Sequence, residues 1–506
     1  MTTELYGVNA HVSETLVQTP VTVETNIVFY GTSPSGTVGT PILITSWADA
    51  VDKLGVSVDD GYTLTDACLA AFQACNISHI YCIPVANTAE AQASDYTAAL
   101  LNISDLWMQY GVIANILVAP RCQDADVIAA LVTAAKKQNG QWDGIVIYDG
   151  IQDAEQLDES GRPVLALLTS EDVKTSTDDI TVCHWGYAKL LSGAVISGAA
   201  FRACRWAVQD MQNNGREPSR CSGNLSVDIQ SSCIRVDNAS EATGMADVVS
   251  GNLIATASSP GKRGNEISVN LIKSGATSTN VDLTVKVGSD TVISATVNGL
   301  VGASNGLSLL NSVEGISEYV VFGGVDVIGN ISSSTAVVIS LTGGKDDVYQ
   351  DILAKKSDLD QLSADGIDSF LNVGGGKYVT WGDHTAAFNN AEIQDERGRF
   401  DNYPRMRMRI TNRFEQKWRP SIDAGMDAEL RRYILNEEQD FLYYLVSVQA
   451  LVGSPRCEFR PQDNTKDSIA KGHFYFKDFI TYTPPAKYID LGVSFTDEGY
   501  TVYLED

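Results

Sequence analysis

At 506 residues, 44% of them hydrophobic, the chain is longer than one core supports, so roughly three or four domains are expected. A net charge of −27 excludes nucleic acid as a general partner, because a polyanion is repelled where a basic protein would release its counterions. Uncharged stretches such as Leu106 to Pro120 are broken by Gln, Asn, Gly and Pro, so no membrane insertion is expected.

Residues 1–26, which include Val21 and Val23, are rich in Thr and Val with few helix signals and read as an extended N-terminal arm. Met1 to Tyr6 shows no basic region ahead of an apolar run, so synthesis and folding in the cytosol are expected. Residues 27–94 read as a first α/β domain. An apolar strand (Ile27 to Tyr30), the loop Gly31 to Gly36 and a second strand (Pro41 to Thr45) are followed by a helix that Ser46 can cap, running through Leu54. An amphipathic helix from Leu64 to Cys75 and a buried strand from His79 to Pro84 complete it.

Residues 95–236 repeat this logic. Ile113 to Ala119 is a strand, Asp124 to Asn139 a helix opened by Asp and closed before Gly140, and Gly144 to Asp149 a second buried strand. An acidic linker (Asp153 to Asp179) leads to Val182–Gly186. A small-residue run from Ser192 to Ala200 then feeds a helix ending near Gln212 and permits close packing on a sheet.

Composition changes near Asp237. From Ala207 to Glu318 there is no aromatic residue and no His, and short alternating runs recur: Ile267 to Ile272, Val281 to Val287, Thr291 to Val297 and Thr335 to Leu341. Residues 237–345 therefore read as an inserted all-β, sandwich-like module with an aliphatic core.

Residues 346–487 read as an α+β domain. Gly374-Gly375-Gly376 is a turn before the strand Lys377 to Trp381, and Arg405-Met406-Arg407-Met408-Arg409-Ile410 alternates as a strand whose charges share one face. A helix from about Ser421 to Val452 begins charged, with Arg431 and Arg432, and ends apolar. Residues 488–506 form a C-terminal arm in which Ile489, Leu491, Val493 and Phe495 alternate. After the turn Thr496–Gly499 the pattern resumes with Tyr500, Val502 and Leu504. An isolated two-stranded hairpin is marginal in water, so this arm either folds back on its own domain or pairs with another chain.

Catalytic motifs are weak. Gly302-Ala303-Ser304-Asn305-Gly306 matches a nucleophile elbow, but it lies in a Gly/Ser-rich module and needs His384 or His473 from another domain; a turn is the simpler reading. The Gly374–Lys377 run lacks the first glycine and the Ser or Thr of a phosphate loop. Nine cysteines with no C-x-x-C pair, Cys68, Cys75 and Cys82 among them, read as buried thiols, and no metal-ligand spacing stands out. The basic cluster from Arg397 to Arg419, including Arg405, Arg407 and Arg409, suits either carboxylates of its own chain or an acidic partner surface.

Taken in order, several segments resemble the sheath proteins of contractile phage tails and phage-tail-like particles. They are Tyr30-Gly31-Thr32 with Pro41-Ile42 and Thr45-Ser46, and Trp185 with the Ser192 to Arg205 run followed by Asn213, Gly215, Pro218, Ser219 and Gly223. Gly376 to Asp383, Asn464 to Asp467, and Pro484-Pro485-Ala486 with Tyr488-Ile489 continue the likeness, which covers most of the chain. His384 stands where that family more often has Arg.

The resemblance implies a multidomain α/β protein with a non-catalytic subtilisin-like core, an α+β C-terminal domain and terminal arms shared between subunits. It further implies hexameric rings stacked as a helical sheath around a tail tube protein, with baseplate and tail terminator partners and no cofactor. Arm contacts would then fall on Val21, Val23, Ile489, Leu491, Val493, Phe495, Tyr500, Val502 and Leu504, and tube or neighbour contacts on Arg405, Arg407, Arg409, Arg431 and Arg432. The place of action implied is a tail sheath or phage-tail-like particle assembled in a bacterial cytoplasm. A hydrolase on a subtilisin-like fold and a surface adhesin carrying a β-sandwich are the competing readings.

Overall fold

A computed structural model describes residues 24–58, 60–136, 142–150, 173–213, 218, 223–236, 240–248, 251–258, 262–344, 348–352, 354–390, 399–487 and 489–503. Residues 1–23 of the N-terminal arm, Val21 and Val23 among them, most of the acidic linker, and Leu504 lie outside these residues. The chain divides into two compact units, one drawn from Met1–Ile151, Val164–Ser232 and Leu353–Asp506, the other centred on Cys233–Ile352.

In chain order the first unit opens with strands β1 (Ile27–Thr32) and β2 (Ile42–Ile44), helices α1 (Trp47–Leu54) and α2 (Thr63–Cys68), and β3 (Ile80–Ala86). Helices α3 (Ala93–Leu100) and α4 (Ile103–Tyr110), β4 (Ile116–Val118), α5 (Ala125–Ala135), β5 (Ile145–Asp149) and β6 (Thr181–His184) follow. The hairpin β7 (Tyr187–Lys189) and β8 (Val195–Ile196) leads to α6 (Gly198–Gln212) and β9 (Ser226–Val227).

These helix starts follow from their caps. The Ser46 hydroxyl accepts from the Asp49 N–H at 3.1 Å, and Asp124 Oδ1 accepts from Asp126 N–H at 2.8 Å. Strands β1, β3, β4 and β5 are largely apolar on both faces, and they and β6 are almost wholly buried, as parallel strands flanked by helices must be.

The second unit runs through β10 (Ser231–Val236), β11 (Thr243–Asp247), β12 (Asn252–Ala257), β13 (Ile267–Lys273), β14 (Val281–Val287) and β15 (Asp290–Val297). A short helix α7 (Gly306–Asn311), β16 (Val320–Gly324), β17 (Val337–Ser340) and β18 (Val348–Asp351) complete it. Two antiparallel sheets, in the orders β11-β12-β16 and β15-β14-β13-β17, contribute Leu253, Ala255, Val269, Leu271, Leu283 and Val285 to one core. Phe322 also lies in that core, so it is not purely aliphatic as expected. Strands β10 and β18 pair antiparallel, with Val236 opposite Val348, and bring the two ends of the segment together.

The remainder of the first unit comprises α8 (Lys356–Ala364), β19 (Ile367–Gly374), β20 (Lys377–Trp381), α9 (Asn402–Trp418), α10 (Ala428–Ser447), β21 (Arg456–Glu458), α11 (Lys466–Ala470) and β22 (Lys477–Phe479). Between β19 and β20, Gly374, Gly375 and Gly376 have φ of 108°, 63° and 74°. Consecutive left-handed residues require glycine, which accounts for the run as a turn.

A nine-stranded sheet in the order β2-β3-β1-β4-β5-β6-β19-β20-β9 organises this unit. The boundary expected between residues 94 and 95 does not divide it, since β1 bonds to β3 on one side and β4 on the other. Nor does the boundary before residue 346: β19 pairs parallel with β6, Ile367 opposite Cys183.

Two element assignments are corrected. The run Arg405–Ile410 is helical, not a strand: Met406 and Ile410, four residues apart, share a core with Leu442 and Leu445, while Met408, on the opposite side of α9, packs into the core of the main sheet. The helix expected from Ser421 begins only at Ala428, where the Asp427 carboxylate accepts from the Leu430 N–H at 2.7 Å.

Candidate assembly surfaces

The C-terminal segment is the most exposed apolar stretch among the described residues. Ile489 is 87% exposed, Leu491 86%, Val493 72% and Phe495 99%, and Tyr500, Val502 and Tyr503 are open as well. The expectation of two strands is corrected: residues 489–496 have no secondary structure, and Glu498–Tyr503 is a 3-10 turn. Alternation prepares a chain for pairing, but a strand exists only once a second backbone supplies hydrogen bonds.

Just upstream the chain is held to the body. The Val452 N–H donates to Thr481 O at 3.0 Å, the Thr483 hydroxyl donates to Gln449 O at 2.7 Å, and Tyr482 stacks on Tyr403 at 4.8 Å. The segment therefore leaves a fixed root.

The basic cluster separates into two groups. Arg405 is buried, donates to Asp210 at 2.5 Å and lies 4.2 Å from the Trp206 ring; the Thr25 hydroxyl donates to the same carboxylate at 2.9 Å. It therefore fastens α9 to α6 and is not available to a partner. Arg413 donates from Nη1 to both oxygens of Glu438, at 2.9 and 3.1 Å, and joins α9 to α10. Arg407, 3.4 Å from Asp179, and Arg409 are exposed, on different sides of α9.

On α10, Arg432 is exposed on the same side as Tyr433, Tyr443 and Tyr444, while Ile434, Leu442 and Leu445 point into the core; Arg431, also exposed, stands in the row of Ile434, with its guanidinium 5.4 Å from the centre of the Phe459 ring. The outer face of this helix combines guanidinium and phenol groups, which suit an interface more than bulk solvent. The structure does not bring Arg405 together with the other candidate contact arginines.

No family model and no curated protein matches the sequence. Solved structures do. A chain of the anti-feeding prophage baseplate, six-fold symmetrised, matches with a TM-score of 0.55 at 12% identity, covering 98% of this chain and 100% of that one. The sheath complex of an extracellular contractile injection system, PVC, in its contracted state matches over the same shares with a TM-score of 0.53 at 11% identity. The contracted helical sheath of the anti-feeding prophage gives 0.52 at 12% identity, again covering 98% and 100%.

The chain has the fold of a contractile-tail sheath protein.

In this sheath fold the carboxyl ends of the parallel strands, where α/β enzymes place their chemistry, are filled by buried ionisable side chains paired with one another. Arg121 donates from Nε to Asp66 at 2.6 Å, and its backbone N–H donates to Asp149 at 2.7 Å. The Ser197 hydroxyl donates to Asp149 at 2.6 Å while accepting the Ala200 N–H at 3.0 Å as the cap of α6. Arg202 and Asp368, both with wholly buried side chains, meet at 2.7 Å, and Arg202 also donates to Gly382 O at 2.6 Å. This arrangement locks helices to the sheet and leaves Ser197 committed to structure. Ser304 lies in an exposed turn ahead of α7 in the second unit. No cluster of three or more candidate metal ligands occurs among the described residues.

The buried carboxyls give a pH signature. Desolvation pushes Asp149 up to about 6, and pushes Asp368 up to about 8 against the attraction of Arg202, with Asp401 and Asp383 adding to the rise. A carboxyl raised above its unfolded value stabilises the fold fully below that unfolded value and loses the contribution as pH climbs through the folded one. Burial depresses His184 and His384, whose contributions change only below their ordinary value of 6.5. The window from 6.5 to 8 therefore belongs chiefly to Asp368. The thermal midpoint of the soluble subunit is expected to fall across that window, and Asp368→Asn to remove most of the fall. An equal fall in the variant would assign the loss to other groups.

Proposed function

We propose that this protein is a structural tail sheath subunit. The observation that carries the reading is the match of fold along almost the whole chain to components of contractile particles. Many copies would stack as hexameric rings around a tail tube protein, bounded by baseplate and tail terminator proteins, on a bacteriophage, a prophage or a phage-tail-like particle. Assembly would occur in the bacterial cytoplasm.

The first unit would contain the subtilisin-like core without its catalysis, and the second the inserted accessory module. Work would come from conformational free energy stored in the extended sheath, so neither an enzymatic step nor a cofactor is required. In this reading the arms, Val21 and Val23 at one end and Ile489 to Leu504 at the other, pair with neighbouring subunits. Main-chain pairing survives rotation of the bodies, which side-chain interfaces would not. The exposed face of α10, with Arg431 and Arg432, faces the tube or a neighbour.

Negative-stain microscopy of the purified full chain tests this. Tubes or stacked rings are expected. A protein that stays monomeric at high concentration and hydrolyses ester or peptide substrates would remove the reading.

A further inference from the structure

The exposed C-terminal segment does not begin at random. Past the Thr483 contacts the chain runs through Pro484 and Pro485, which supply no backbone donor, and the next side chain bound to the body is Lys487. Its ammonium pairs with the Asp383 carboxylate and lies 5.3 Å from the centre of the Phe400 ring. The two acceptors form a cup of opposite character, a carboxylate and a π-face, and both favour a cation.

The cup is rigidly mounted. Asp383 lies two residues past the end of β20, and its carbonyl accepts the Asp401 N–H at 3.0 Å. Phe400 bridges to His384 in backbone register and packs edge-on against Tyr403 at 5.7 Å; Tyr403 in turn stacks on Tyr482. The adjacent Gly382 carbonyl accepts from buried Arg202. Asp383 keeps only 8% of its side chain exposed, against 37% for Lys487, so a buried acid holds a part-exposed base.

We infer that Lys487 clamps the root of the C-terminal segment into the Asp383–Phe400 cup, fixing where and in which direction that segment leaves the body to reach a second copy of this chain. The inference rests on the reading that the segment pairs with a neighbouring subunit. Without the clamp the root swings about the two prolines, and the row from Ile489 to Phe495 must be ordered from a wider set of directions before it can pair.

Two measurements separate the clamp from the sheath reading. Trypsin must draw the Lys487 ammonium into its own specificity pocket, so a clamped lysine is cut slowly. In the soluble full chain, Asp383→Asn is expected to speed cleavage after Lys487 by about tenfold, the scale of a charge-assisted hydrogen bond. Cleavage after the exposed control Lys471 should stay unchanged. Phe400→Leu, which keeps the carboxylate and removes the ring, should give a smaller rise and covers the case in which Asp383→Asn unfolds the region. Cleavage after Lys487 as fast in the parent as in both variants overturns the clamp, whether or not the protein polymerises.

The second measurement is the sedimentable fraction of assembled protein. Lys487→Gln is expected to lower it severalfold and Lys487→Arg to restore it. Parent-like assembly of Lys487→Gln overturns the directional role.

Discussion

Removing residues from Asp490 onward is expected to leave a folded, soluble subunit that forms no tubes. The deleted side chains from Leu491 to Tyr500 are all exposed, so their loss should change subunit stability by no more than about 0.5 kcal/mol. In an assembly the same side chains would be covered, and each of Leu491, Val493 and Phe495 would contribute about 1.5–3 kcal/mol if fully buried, in addition to main-chain hydrogen bonds. Val493→Pro is the milder form. It removes one donor and fixes φ in the pairing segment, and should depress polymer formation far more than the melting temperature. Sedimentation and microscopy of both variants, beside thermal unfolding, make the comparison. Normal tubes from the truncated protein would mean that the segment has no part in assembly.

The elements that sequence patterning exposed are those governed by local chemistry. Ser46 and Asp124 announce helix starts because their side chains satisfy N–H groups two or three residues ahead, and the three glycines at 374–376 announce a turn because no other residue adopts that backbone cheaply. The strands Ile27–Thr32 and Ile145–Asp149 were legible as apolar runs. Strand order was not. Nothing local says that β1 lies between β3 and β4, or that β19 returns beside β6.

The Arg405–Ile410 run shows the limit most clearly. Alternating Arg and Met satisfies a period of two, yet Met406 and Ile410 also stand four apart on one helical face, and the decision falls to Asp210, 195 residues away, which takes Arg405 inward. The buried carboxylates were missed for the same reason, although an Asp closing a wholly apolar strand, as Asp149 does in β5, is a usable signal. The alternation of the C-terminal segment was visible, and its partner backbone is not within this chain's described residues.

The largest loss of stability is expected from Arg413→Met. Glu438 has no exposed side-chain surface; Arg413 and the Trp418 N–H, at 2.9 Å, donate to it, and Arg413 also packs 3.7 Å from the centre of the Phe441 ring. Removing the guanidinium leaves a buried carboxylate without its cation, which costs about 3–5 kcal/mol. The consequence is local: α9 and α10 lose the tie that sets the exposed tyrosine and arginine face of α10. Replacing both partners, Arg413→Met with Glu438→Leu, removes the stranded charge and should recover most of the loss, because an apolar pair can pack where an ion pair did. Arg432→Ala, on the outer face of the same helix, should stay within about 0.5 kcal/mol of the parent and act only on assembly, whereas Arg431→Ala also loses a contact with the Phe459 ring, 5.4 Å away, and should cost about 0.5–1 kcal/mol. Urea unfolding of the soluble subunit reads all four variants. If the double variant is as unstable as Arg413→Met alone, the stacking of Arg413 on Phe441, and not its charge, holds the two helices together.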